Sequence, residues 1–335
     1  MHPTWPSADA WQQALRTLIT DPAELLELLG LPSTLADAGA DGEFRLQVPR
    51  SFAARMEPGN RQDPLLLQVL PQQQERVSVA GFGADPLAER VSNPRQGLIH
   101  KYRDRVLLIA SGGCAINCRY CFRRHFPYQQ NQLGPEQWQQ VLDYIQTHTE
   151  LREAILSGGD PLVTPDSRLS RMIEQLATID HLQRIRIHSR LPIVIPERVT
   201  HALVTALTAT RLQPVIVLHC NHANEVNDEV RAAIARLRSA GITVLNQAVL
   251  LRGINDSVAA QQQLSETLFS SGVLPYYLFV LDPVAGAAHF DVPDAEAQQL
   301  VGELQARLPG YLVPRLAREI PGQPSKTLLM PRRPR

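Results

Sequence analysis
The chain has 335 residues, of which 44% are apolar and 20% charged, and its 33 basic side chains balance 33 acidic ones. This is ordinary globular composition with room for one large domain or two modest ones, and no net field draws it toward nucleic acid or a membrane. No apolar run reaches membrane-spanning length, and the N-terminus lacks a basic segment followed by an apolar one. Four cysteines, three of them clustered, suit a reducing cytosol.

Residues 1–95 read as an irregular, mainly helical arm. Apolar residues recur at helical spacing over 11–19 and 21–29, Asp21-Pro22 opens a helix, and Met56-Glu57-Pro58-Gly59-Asn60 breaks the chain. No chemistry is visible there, so the arm is expected to pack on the next domain or to make an oligomer contact. From about residue 100, β-rich runs at 106–110, 154–156, 185–188, 215–219, 243–249 and 276–281 alternate with helical patterns at 135–148, 167–178, 196–208, 227–240, 257–271 and 295–308. Such alternation implies parallel strands joined by right-handed crossovers. Six units are fewer than the eight of a closed barrel, so the expected fold is α/β, an open partial (β/α)6 TIM-like barrel with its site at the C-terminal strand ends. The expected divisions are 1–95 (arm), 96–310 (barrel) and 311–335 (C-terminal segment). Pro331-Arg332-Arg333-Pro334-Arg335 is expected to be a solvated basic tip.

The first strand runs into Ser111-Gly112-Gly113-Cys114-Ala115-Ile116-Asn117-Cys118-Arg119-Tyr120-Cys121-Phe122-Arg123-Arg124, with cysteines spaced C-x3-C-x2-C. Soft thiolates on one short loop favour an iron–sulfur cluster or zinc. Structural zinc takes four ligands, usually in two pairs, and no second pair exists. Three thiolates on a cubane leave one iron open to a small molecule. The remaining cysteine, Cys220, reads as a buried thiol.

The second strand ends in Leu156-Ser157-Gly158-Gly159-Asp160, where paired glycines let the backbone approach a ligand closely. By itself such a turn equally serves a tight βα connection. His219-Cys220-Asn221-His222 lacks the spacing and partners of a zinc site, and cofactor contact or turn chemistry is expected instead. The polar residues of 246–256 suit a ligand or a helix start. Only two lysines occur, Lys101 and Lys326, and the second sits in the Pro/Gly-rich stretch Glu319-Ile320-Pro321-Gly322-Gln323-Pro324-Ser325-Lys326. Arginine cannot replace lysine where an amine must deprotonate and form a Schiff base, which marks Lys326 as a candidate.

Taken together, the cysteine loop, the Gly-Gly-Asp turn, His100-Lys101-Tyr102-Arg103-Asp104-Arg105, His188-Ser189-Arg190-Leu191-Pro192, Asn221-His222-Ala223-Asn224-Glu225, Asp282 and the Lys326 stretch resemble the lysine 2,3-aminomutase family. These are radical S-adenosylmethionine (SAM) enzymes that also use pyridoxal phosphate (PLP). The likeness covers roughly 90–330 and is strongest to the short bacterial branch that serves elongation factor P. It implies a [4Fe–4S] cluster on Cys114, Cys118 and Cys121. It implies SAM on the turn of Ser157, Gly158, Gly159 and Asp160, and PLP on Lys326 with Tyr102 and Arg105 near its phosphate. Arg123 would take the carboxylate of L-lysine, and Asp282 and Glu319 its distal ammonium. An electron donor of flavodoxin or ferredoxin type and a separate ligase for (R)-β-lysine would be partners, with a homo-oligomer possible in the cytoplasm. A relative acting on arginine or glutamate, and a non-catalytic iron–sulfur protein, are the alternatives. Glu319 stands where the clostridial type usually has aspartate, and the metal-binding C-terminal extension of longer members is missing.

Overall fold
A computed structural model describes residues 4–332, so most of the expected basic tip lies outside the described residues. Strands β1 (Leu98–Tyr102), β2 (Arg105–Ser111), β3 (Glu153–Gly158), β4 (Arg184–Ser189), β5 (Gln213–His219), β6 (Thr243–Val249), β7 (Leu274–Phe279), β8 (Arg315–Arg318) and β9 (Thr327–Leu328) form one nine-stranded sheet in sequence order. Strands β2 to β8 are parallel, while β1 and β9 flank them antiparallel.

Helices α1 (Ala10–Arg16), α2 (Pro22–Leu28), α3 (Ala38–Glu43) and α4 (Arg50–Ala53) belong to the arm. The barrel carries α5 (Pro135–Thr147), α6 (Asp166–Ala177), α7 (Leu191–Val194), α8 (His201–Thr208), α9 (Asp228–Ser239), α10 (Val258–Ser270) and α11 (Asp294–Gln305). Their burial follows from helical periodicity: α6 buries Leu169, Met172, Ile173 and Leu176, and α9 buries Val230, Ala233, Ile234 and Leu237. Side chains set the starts, since Thr200, Asn227 and Ser257 accept hydrogen bonds from backbone N–H groups of the first turns of α8, α9 and α10.

Period-two alternation sorts each strand into a face under the helices and a face toward the lumen. Ile185 and Ile187 of β4 are buried in the outer core, whereas Arg186 and His188 line the interior. Register then aligns lumen residues from five strands in one row: Leu107, Ile155, Arg186, Val215 and Thr243.

The strand count differs from the expected one, and the arm packs on the barrel, one of the two alternatives expected for it. The six parallel strands become seven, because 315–318 pairs with β7, and the division at 310/311 therefore falls inside one sheet. The missed strand is four residues long and charged at both ends (Arg-Leu-Ala-Arg), too short to show a period. The arm also shares its core with the barrel: Trp11, Ile19, Leu25, Val48 and Phe52 join the apolar cluster that includes Leu108 and Ile187. Ser51 Oγ donates to Val194 O at 2.6 Å and Arg55 Nη2 to Ile193 O at 2.8 Å, both on α7.

Candidate active site
The open sheet curls around a cavity of about 840 Å³. Its lining includes the three loop cysteines, Ser157, Gly158, Gly159, Asp160, Arg123, Tyr102, Arg105, Asp282, Glu319 and Lys326, residues drawn from the whole span 102–326.

The cysteine loop leaves β2 and is held by the arm. Asn117 N donates to Gln47 O at 2.9 Å, Arg119 N to Gln68 O at 2.9 Å, and Gln47 Nε2 to Cys114 O. Arg119 is fully buried, with Nε shared between the Glu75 oxygens at 2.8 and 3.0 Å and Nη2 donating to Ala40 O at 3.1 Å. Glu75 also takes Arg124 at 3.1 Å, and Phe44 lies under both guanidinium groups. One carboxylate and one ring are thus shared by two loop cations and brace both.

The Gly-Gly-Asp turn is stitched to that loop. Gly159 N donates to Ser111 O at 2.8 Å and Asp160 N to Gly113 O at 2.7 Å. A Cβ on Gly159 would lie 2.3 Å from Gly113 O and 3.0 Å from Cys114 Sγ, and Gly158 has φ +127° with an added Cβ 2.2 Å from Ser111 O. Both glycines are therefore required by contact between loop and turn. Asp160, expected to contact SAM, also has a structural duty within the turn. Its carboxylate accepts from Leu162 N at 3.0 Å, Ser189 Oγ at 2.7 and 3.0 Å, Arg190 N at 2.7 Å and Leu191 N at 3.0 Å. It ties β3 to β4 while lining the cavity beside Ser157, Gly158 and Gly159.

Across the cavity, Lys326 Nζ sits 2.8 Å from Glu319 Oε2 and 4.8 Å above the Phe279 ring. Glu319 Oε1 accepts from Lys101 Nζ at 2.9 Å, so both lysines of the chain meet one carboxylate. Burial works against ionised Glu319, but Lys326 and Lys101 outweigh it and hold its pKa at about 2. Asp282 is pushed up to about 7 by burial and by the Glu319 charge, with the lysines pulling back. The Arg105 guanidinium lies 4.2 Å over the Tyr102 ring, and Lys326 Nζ is 5.8 Å from the same ring. Arg123 is committed to Glu89, with Nε at 2.7 Å and Nη2 at 2.8 Å, while its Nη1 reaches Ser157 Oγ at 3.1 Å and Gly158 O at 3.2 Å.

The 219–225 turn is structural and ligand-facing in different parts. Arg190 bridges Glu225 (3.0 Å), Gln68 (2.6 Å) and Tyr120 OH (2.9 Å), and its Nη1 lies 2.7 Å from Cys118 Sγ. His219 lines the cavity with Nε2 2.8 Å from Tyr120 OH, and burial with the Arg190 charge lowers its pKa to about 3. Cys220 is fully buried. Glu75, Glu89, Gln47 and Gln68 escaped the sequence reading, because acids and amides in an irregular arm carry no spacing signal. Lys101 did carry one, the same scarcity of lysine that marked Lys326.

Residues 108–260 match the family model described as the Radical SAM superfamily, which places this cavity in that class of protein. The chain is 54% identical to the "L-lysine 2,3-aminomutase" of Escherichia coli (strain K12), over 97% of this chain and 95% of that one. Identity is 49% to the protein of the same description from Haemophilus influenzae, over 95% of each chain, and 34% to that of Clostridium subterminale, over 96% of this chain and 78% of the relative. The chain belongs to the L-lysine 2,3-aminomutase family of radical SAM enzymes. The cofactors that go with this family are a [4Fe–4S] cluster, SAM and PLP.

The residues fit those groups. Three thiols from one short loop face one cavity, a donor set that suits an iron–sulfur cluster. Burial and the neighbouring thiols raise Cys121 to about 11 and push Cys114 up as well, so ligation displaces protons. The Lys326 amine, with Tyr102 and Arg105 beside it, fits a phosphate-bearing aldehyde.

Proposed function
We propose that the chain converts L-lysine to (R)-β-lysine by moving the α-amino group to the neighbouring carbon, as an L-lysine 2,3-aminomutase. One observation carries this reading: a single cavity holds three cysteine sulfurs together with a lysine amine, and beside that amine stand two carboxylates.

Cys114, Cys118 and Cys121 hold the cluster, and Ser157 with the backbone of Gly158 and Gly159 receives the amino-acid end of SAM. Lys326 carries PLP, whose phosphate takes Tyr102 and Arg105. The bound cofactors supply the radical and the electron sink. The chain's own residues bind, orient and exclude water. Arg123 offers a fork to the substrate carboxylate. Asp282 and Glu319 face the distal ammonium and repel an acidic side chain, which favours lysine over glutamate. Glu319 also orients the Lys326 amine, accepting a hydrogen bond from its Nζ at 2.8 Å.

The 54% and 49% identities to short relatives support the elongation factor P branch, with the product passed to a separate ligase. A flavodoxin- or ferredoxin-type electron donor, a cytoplasmic location and a homo-oligomer complete the proposal. No helix among the described residues is long and apolar enough to cross a membrane. Anaerobic protein given SAM, PLP, dithionite and labelled L-lysine is expected to yield labelled (R)-β-lysine. Conversion of arginine or glutamate in its place overturns the substrate assignment.

A further inference from the structure
Five charged side chains run across the cavity in alternating sign. Lys326 Nζ is 2.8 Å from Glu319 Oε2, Glu319 Oε1 is 2.9 Å from Lys101 Nζ, and Lys101 Nζ is 3.6 Å from Glu89 Oε1. Glu89 in turn holds Arg123 through two donors at 2.7 and 2.8 Å. Lys101, Glu89, Arg123 and Glu319 all have side chains at most 17% exposed. The two groups proposed to grip the substrate's ends are therefore already neutralised by internal partners. A carboxylate arriving at Arg123 meets the Glu89 carboxylate, and an ammonium arriving at Glu319 meets Lys101. In a partly buried site neither repulsion is screened well.

We propose that Lys101 is a positioning residue that exchanges partners when substrate binds: the substrate carboxylate takes Arg123, displaced Glu89 moves onto Lys101, and Lys101 releases Glu319 to the substrate's distal ammonium. Lys101 and Glu89 are already 3.6 Å apart, so the exchange needs only short side-chain movements and leaves Arg123, Glu89, Lys101 and Glu319 each facing an opposite charge. The inference rests on the reading of Arg123 and Glu319 given above and adds a coupling between them. A ligand with one charged end completes half of the exchange. Cadaverine, which lacks the carboxylate, leaves Glu89 on Arg123 and finds Glu319 occupied by Lys101. L-Norleucine, which lacks the distal ammonium, draws Lys101 away and leaves Glu319 without one of its two lysine partners. Specificity for a molecule charged at both ends follows from that coupling.

The test uses PLP-loaded, cluster-containing protein without reductant, titrated with L-lysine, cadaverine and L-norleucine by calorimetry and by the PLP absorbance. The unaltered protein is expected to bind L-lysine at least about tenfold more tightly than either analogue. In Lys101→Met, the displaced Glu89 finds no cation to move onto, so L-lysine weakens about tenfold or more. Cadaverine holds or gains affinity there, because Glu319 is released, and the lysine preference over cadaverine collapses. Lys101→Arg restores that preference, which a general loss of structure would not allow. Lys101→Met with the unaltered preference, or with all three ligands weakened equally, overturns the exchange. If instead Arg123→Met in the Lys101 protein keeps the preference for L-lysine over cadaverine, the assignment of Arg123 itself fails, a separate result.

Discussion
Glu319 is kept ionised to about pH 2 by the two ammonium groups it holds, while Asp282 nearby is pushed up to about 7. Their pH signatures therefore run in opposite directions. Glu319, depressed in the folded state, contributes stability that is present above its ordinary range near pH 4.5 and is lost as pH falls toward 2. Asp282, raised in the folded state, binds its proton more tightly than in the unfolded chain, so its contribution is lost as pH rises from about 4 toward 7. An incoming ammonium favours the ionised acid. L-lysine binding to the PLP-loaded protein is accordingly expected to strengthen as pH rises through about 7, with release of a proton, and Asp282→Asn should flatten that dependence in calorimetry run in two buffers of different ionisation heat. Lys326→Ala is expected to abolish the borohydride-trapped PLP adduct while leaving the cluster absorbance intact; trapping at Lys101 would reverse the assignment of the two lysines. Both lysines were visible in the sequence as rare residues, but their meeting on one carboxylate was not, since Lys101 and Glu319 are 218 positions apart.

At the scale of elements, the cysteine loop and the Gly-Gly-Asp turn behave as one unit, joined by two backbone hydrogen bonds and by an approach that only glycine permits. Gly159→Ala has no room for its methyl group against the Gly113 carbonyl and is expected to cost about 2 kcal/mol or more. Because the shift falls on the residue before Cys114, the iron and sulfide retained after anaerobic reconstitution should drop along with thermal stability. Asp160→Asn is expected to lower the melting temperature in thermal unfolding, since its oxygens accept from Ser189 Oγ and from the Arg190 and Leu191 N–H groups. The motif was legible as a pattern, whereas the division of labour within it was not: a hydrogen-bonding acid at a strand end looks the same in sequence whether it turns inward or outward.

Across the whole molecule, the arm closes the site from outside the barrel. Glu75 pairs two buried arginines of the cysteine loop, and Glu89 pairs a third. Glu75→Gln leaves Arg119 and Arg124 short of a counter-charge in a dry environment, and a loss of about 3 kcal/mol or more is expected in denaturant unfolding, with cluster retention falling in parallel. An arm whose only duty was packing or oligomer contact would lose stability without losing iron. The sequence alone determined the alternation of strands and helices, the cysteine spacing and the rarity of lysine, because periodicity, ligand chemistry and composition are local properties of a chain. Only the tertiary structure decided that the arm braces the cluster loop, that a seventh parallel strand extends the sheet, and that Lys101 and Glu89 stand between the groups proposed to bind substrate. Those facts depend on contacts between distant segments, where the fold brings opposite charges together without leaving any regular spacing in the sequence.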